Sequence, residues 1–137
     1  MQIRRMLLAT VLALTACGGA PTNPAIDWVS IRTATPAIGT VLTAGQAVTF
    51  TVTVDATLVS ANTGVVRLIV TTAGFVPLNQ GTIPRQTIAK GASAITLTDT
   101  VMIPTESSGS HVIIATPIWV DGVESTAQWA KATYPVL

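Results

Sequence analysis

The chain carries one thiol, Cys17, and one imidazole, His111. A single Cys excludes an internal disulfide, and one Cys with one His excludes a Cys/His zinc cage. As a general base, His111 would need a nucleophile and an orienting acid beside it. Ser107, Ser108 and Ser110 lie close in sequence, but the expected role of His111 is structural, with a ring nitrogen bonded to a backbone carbonyl. The six carboxylates are Asp27, Asp55, Asp99, Glu106, Asp121 and Glu124. They are scattered and fall mostly at turns or strand ends. Asp55, Asp99 and Glu106 could meet at one end of the sandwich as calcium ligands, but no Asp-x-Asp spacing supports it. Phosphate-binding loops, nucleophile elbows and dinucleotide fingerprints are absent from the sequence. These residues predict no enzyme, no metal site and no cofactor.

The thiol has a different context. Arg4 and Arg5 are followed by an uncharged apolar run from Met6 to Ala16. Eleven residues suit the apolar region of a signal peptide, whereas a bilayer span needs about 20. The run ends in Leu14-Thr15-Ala16-Cys17. This stretch resembles the lipobox of bacterial lipoproteins. The resemblance implies that signal peptidase II cuts between Ala16 and Cys17, and that Cys17 receives a diacylglycerol and becomes the first mature residue. Each buried methylene contributes roughly 0.8 kcal/mol, so two or three acyl chains on one residue make a firm anchor. The expected location is therefore the bacterial cell envelope. Gly18, in place of Asp, is compatible with outer-membrane sorting in a Gram-negative cell; in a Gram-positive cell the same anchor would sit in the outer leaflet of the plasma membrane. The expected organisation is a signal peptide over 1–16, the lipidated Cys and a flexible linker over 17–25, and one domain over 26–137. The linker GGAPTNPA reaches at most roughly 30 Å.

Composition narrows the partners further. Charged residues are 9% of the chain, with a formal net charge of +1, against about 25% charged in an average globular protein. Loss of Arg4 and Arg5 would leave five basic and six acidic side chains. Nucleic-acid binding needs clustered Lys and Arg, so it is not expected.

The rest of the chain reads as strands. Thr alternates with Val and Ile, most clearly in Val48-Thr49-Phe50-Thr51-Val52-Thr53-Val54, which predicts one buried and one wet face. Turn residues divide the chain into strands A (27–34), A′ (38–43), B (46–58), C (64–73), D (82–89), E (93–103), F (110–120) and G (123–134). Asn62-Thr63-Gly64 and Lys90-Gly91 serve as turns, and Asp121-Gly122 as a two-residue type I′ hairpin. Asp99 falls on the apolar parity of strand E, which implies a bulge or a sheet edge there. Seven or eight such strands predict an all-β fold, a single antiparallel β-sandwich. The stretches Thr35–Phe50 and Ser107–Ile113 resemble immunoglobulin-like or fibronectin-type-III-like bacterial envelope domains. In that resemblance His111 stands where the tyrosine corner would be, and Ile113 where the core Cys would be.

Strands C and F are apolar on both parities, although a strand with one wet face should alternate. In the immunoglobulin arrangement they are neighbours in a sheet completed by G, so the outside of a C–F–G sheet is expected to be covered. Extending the hairpin register places Ile114 opposite Trp129 and Trp119 opposite Glu124. That reading buries Val112, Ile114, Ile118, Val120 and Trp129, with Ile113, Pro117 and Trp119 outside and a bulge at Pro117. Phe75 and Pro77 are expected to plug one end of the sandwich. Trp119, Ile69 and Arg67 are the candidate contacts for a partner or a sugar. The functional expectation is a membrane-anchored, non-catalytic binding or structural accessory module with an envelope protein as its partner. The alternatives are self-association through the C–F–G sheet, carbohydrate binding through Trp119 with a neighbour such as Trp28, and, more remotely, an enzyme inhibitor or enzyme.

Overall fold

The computed structural model describes residues 26–125 and 129–137; Ala16, Cys17 and the linker lie outside the described residues. The described residues fold as an antiparallel β-sandwich of eight strands. In chain order these are β1 (Trp28–Thr35), β2 (Ala47–Arg67), β3 (Ile69–Thr72), β4 (Arg85–Met102), β5 (His111–Thr116), β6 (Ile118–Val120), β7 (Val123–Glu124) and β8 (Ala130–Pro135). The larger sheet runs β1-β2-β6-β7, with β4 along the other edge of β2. The smaller sheet has the order β3-β5-β8.

Alternation builds the core. Phe50, Val52, Val54, Ala56 and Leu58 on β2 point inward, as do Ile95, Leu97 and Val101 on β4. They meet Val70, Val112, Ile114, Ala132 and Tyr134 from the smaller sheet. Phe50 and Tyr134 pack edge to face, with ring centroids 5.2 Å apart. On the outer face of the larger sheet, threonine hydroxyls pair across the strands: Thr49 with Thr100 at 2.8 Å, Thr51 with Thr98 at 3.2 Å and Thr53 with Thr96 at 3.1 Å. Such cross-strand pairs each contribute roughly 0.2–1 kcal/mol.

Two expected turns are absent. B and C are continuous through β2, and D and E through β4. Up to Leu58↔Gly91 the two strands keep one register, and from Thr63↔Ala89 they keep another. Residues 59–62 bulge out opposite Lys90, so the two sets of turn residues face each other across the ribbon and bend it. Gly91, at φ 107°, takes a conformation that L side chains rarely adopt. The bulge is fastened by Asp27, just before β1. Its carboxylate accepts the Val59 N–H at 2.7 Å, the Ser60 N–H at 2.9 Å and the Ser60 hydroxyl.

Strand F also divides. β5 belongs to the smaller sheet and β6 to the larger, and Pro117 is the crossing point. Leu68 makes the corresponding crossing between β2 and β3. The Asp121-Gly122 hairpin forms as expected, with positive φ at both residues and Val120 opposite Val123. Its register does not extend to β8, because the return strand takes up three extra residues. Ile114 therefore lies opposite Ala132, not Trp129. Trp129 is half-buried instead of core, and its indole N–H donates to Glu124. Ile113 lies on the outer face of the smaller sheet but is buried there; Pro117 is buried, and Val120 is only partly buried against the core.

Strand A′ contributes one bridge, Leu42 parallel to Val136. Phe75 does not plug the sandwich: it is 61% exposed, at φ 61°. Leu78 and Asn79 pack inward in its place. Asp99 lies at a sheet edge without a bulge. It accepts the Asn79 amide at 2.7 Å, and Asn79 also binds the backbone of Leu68 and Val70. The expected His111 bond to a carbonyl does not form among the described residues. Tyr134 makes a stitch of that kind, donating to the Pro36 carbonyl at 2.9 Å.

Burial alone would raise the Asp27 pKa. The hydrogen bonds from Ser60, from the Val59 and Ser60 amides and from Ser125 prevail, and hold it at about 2, below the ordinary 3.8. A depressed carboxylate adds stability that is fully present above its unfolded pKa and lost as pH falls through the folded one. Thermal midpoints of the chain should therefore drop between about pH 4 and pH 2. Asp27→Asn should lower the midpoint at pH 7 and flatten that acid limb; an unchanged limb would show that Asp27 does not fasten the bulge.

Candidate functional site

Beyond the bulge, the last turnless stretch of β2 brings Val65 and Val66 beside β6, with Val65 opposite Trp119 and Val66 opposite Ile118. On its other side, Val65 faces Thr87 and Arg67 faces Arg85. Trp119, Val65 and Thr87 thus form one row across the outer face of the larger sheet, and Arg67 and Arg85 form the next.

Gly64 permits the close approach of β6. A Cβ there would lie 3.2 and 3.3 Å from the Leu58 methyls and 3.3 Å from the Trp119 carbonyl oxygen. Arg67 lies diagonally across from Trp119, and its guanidinium carbon is 4.2 Å from the ring centroid. Both side chains are half-buried. The Arg67 Nε and the Trp119 Nε1 are buried and have no hydrogen-bond partner among the described residues.

Shallow hollows open on both sides of Arg67. One, of about 270 Å³, is bordered by Gly64, Val65, Thr87, Trp119 and Asp121. The other, of about 310 Å³, is bordered by Gln80, Gly81, Thr82, Ile83 and Arg85. The one ion pair among the described residues lies elsewhere, between Arg32 and Asp55. Arg67 and Arg85 therefore face each other with no carboxylate between them, and like charges directly opposite are destabilising.

Of the three sequence candidates, Arg67 and Trp119 come together. Ile69 does not join them: it is half-buried on β3, in the other sheet. The outer face of that sheet carries Ile113 and Ala115, already buried, beneath a cation–aromatic group. Lys131, opposite Ala115, holds its ammonium 5.7 Å from the Phe75 ring centre and 5.6 Å from that of Trp129.

Trp28 shares the outer face of the larger sheet with Trp119. Five residues of β4 separate their rows, about 17 Å at roughly 3.4 Å per residue, so the two indoles do not form one platform. Trp28 is 52% exposed. It borders its own hollow of about 330 Å³ with Arg32, Asp55, Thr57 and Ser93. Arg32 is the extra residue of a bulge in β1 and donates from its Nε to Asp55 at 2.9 Å. The three carboxylates considered for calcium are not grouped: Asp55 is paired with Arg32, and Asp99 with Asn79. Among the described residues no three His, Cys, Asp or Glu side chains are placed to hold a metal.

Sequence reasoning missed Arg85, which it assigned to a separate short strand D. The usable signal was the pairing of the two turn-like stretches: set opposite each other, they bring residue 67 to residue 85.

No family model matches the chain, and no curated protein matches it in sequence. Among solved structures, it is similar to a CARDB domain of a Pyrococcus furiosus protein crystallised in complex with di-metal ions. The identity is 8%, the TM-score 0.50, and the match covers 82% of this chain and 90% of that one. It is also similar to part of a chain described as a beta-galactosidase from Bacteroides fragilis, at 11% identity and a TM-score of 0.48, over 77% of this chain and 15% of that one. The first likeness shows a common fold, an immunoglobulin-like β-sandwich.

Two stability measurements probe this geometry. Gly64→Val should cost about 1–3 kcal/mol through overpacking against Leu58 and the β6 backbone, read as a lower denaturant midpoint. Arg85→Glu should raise stability by about 0.2–1 kcal/mol, because it replaces a like-charged cross-strand pair with an opposite one; a loss on this substitution would mean that Arg85 has an attractive partner.

Proposed function

We propose that this chain is a lipid-anchored binding module of the bacterial cell envelope. In this reading Cys17 holds it to the membrane, and the outer face of the larger sheet around Arg67 and Trp119 receives a partner without catalysis. The observation that carries the binding half is the pair itself. A buried donor without an acceptor costs about 1–3 kcal/mol, and this pair holds two, on side chains that border open hollows. An acceptor that reaches either N–H through a small shift of these side chains would recover that cost. Trp119 acts here chiefly by holding Arg67, since the guanidinium occupies a face of its ring. Support for the anchor is the Leu14-Thr15-Ala16-Cys17 stretch at the end of an eleven-residue apolar run. The membrane would be the outer one in a Gram-negative cell, and the plasma membrane, on its outer leaflet, in a Gram-positive one.

A second reading has its own support. Trp28 offers an exposed indole beside the Arg32–Asp55 pair, which presents both donors and acceptors. That combination suits a neutral sugar, with the ring face on the indole and the hydroxyls on the ion pair.

In cells fed an alkyne-labelled fatty acid, the wild-type chain should take up label and partition into detergent. Cys17→Ala should abolish the label; label in that variant would remove the anchor. Quenching of tryptophan fluorescence by envelope polysaccharide should be lost in Arg67→Ala if the first reading holds. Loss in Trp28→Ala, with Arg67→Ala unaffected, would favour the second.

A further inference from the structure

We propose that Arg67 and Arg85 form an oxyanion site that takes an acidic saccharide; this rests on the binding-module reading and names its ligand.

The two arginines are directly opposite across β2 and β4, a pairing that places their Cβ atoms roughly 4.5–5.5 Å apart. Neither forms an ion pair with a described residue. A repulsive pair of this kind becomes favourable when one anion bridges both guanidinium groups. Each presents N–H donors in a planar fork that matches the oxygens of a carboxylate or a phosphate.

Preorganisation points the same way. Trp119 fixes the Arg67 guanidinium at 4.2 Å, so less side-chain freedom is lost when an anion binds. Thr87 and Gln86 continue β4 beyond Arg85 without an acid. Asp121 borders the hollow on the far side of Arg67 and forms no ion pair with it.

The cleft between the arginines indicates what carries the anion. Apart from them it is lined by Gln80, Gly81, Thr82 and Ile83, with no carboxylate. Gln80 and Thr82 are neutral groups that can both donate to and accept from hydroxyls. At about 310 Å³ the cleft is at the small end of ligand-sized sites, which run roughly 300–1,000 Å³. An oxyanion on a sugar, either a uronate carboxylate or a sugar phosphate, meets both the charged fork and the hydroxyl-binding rim.

The test is calorimetric titration of the full chain in a non-ionic detergent. The probes are digalacturonate, glucose 6-phosphate, neutral cellobiose and inorganic phosphate. Digalacturonate or glucose 6-phosphate should bind at least tenfold more tightly than cellobiose, and the tighter of the two identifies the anion. Binding should weaken several-fold in 0.5 M NaCl and at least tenfold in Arg85→Glu. Because that variant is expected to be more stable than wild type, its loss of binding cannot come from unfolding. Arg85→Gln, which removes the charge without reversing it, should show a smaller loss.

Failure of both acidic sugars to bind overturns the proposal, as does undiminished binding in Arg85→Glu. Inorganic phosphate binding as tightly as the acidic sugars would also overturn it, since the site would then recognise any anion. If the acidic sugars fail while envelope polysaccharide still quenches the wild type and not Arg67→Ala, this inference falls and the binding-module reading stands. If neither interaction is seen, both fall.

Discussion

The carboxylate of Asp27 holds the bend on which the larger sheet depends. β2 is 21 residues long, far beyond the usual strand of about 5–6 residues. A ribbon of that length cannot follow a curved core without an interruption. Residues 59–62 supply it, and their spare N–H groups need an acceptor that the ladder no longer provides. Asp27 satisfies Val59 and Ser60 together, so the bulge is a defined joint. On one side the ribbon packs Phe50, Val52 and Val54 into the core. On the other it carries Val65 to β6 and Arg67 to Arg85. The candidate site is thus positioned by an interaction made at the bulge itself, from the residue just before β1.

The same geometry explains why so few polar residues suffice. The outer face of the larger sheet is mainly threonine, and its hydroxyls pair with one another across β2 and β4. Such a surface is wet but offers little specificity. The arginines stand apart from it. One is clamped on an indole, the other faces it across the ladder, and the Arg32–Asp55 pair lies in the other half of the ribbon. In a chain with 9% charged residues, this pair of like charges is a local excess with no ion-pair partner among the described residues.

The fold was legible where the signal was local. Alternation from Val48 to Val54 identified the buried face, and Asp121-Gly122 identified the hairpin, since positive φ at two successive residues is a property of that dipeptide. Register was less legible. Asn62-Thr63-Gly64 and Lys90-Gly91 carry turn chemistry, yet they face each other and bend one ribbon. Trp129 was assigned to the core by continuing the hairpin register, which the chain abandons when it changes sheets at Pro117. Arg67 and Trp119 were visible as polar or aromatic interruptions in apolar strands. Arg85 was not, because its importance comes only from the residue opposite it, and cross-strand identity is a tertiary fact.

Asp99 has a further consequence. β4 pairs only with β2 among the described strands, which leaves an 18-residue strand at the margin of the sheet. An open margin of that length is a template on which another copy of the chain could add a strand. Asp99 points toward the core side near one end and takes up the Thr100 N–H at 2.9 Å. The register break at Lys90 interrupts the line at its middle. A strand approaching from outside would have to bury a carboxylate at one point and lose step at another. The residue that departs from the apolar pattern thus serves as protection against edge-to-edge polymerisation.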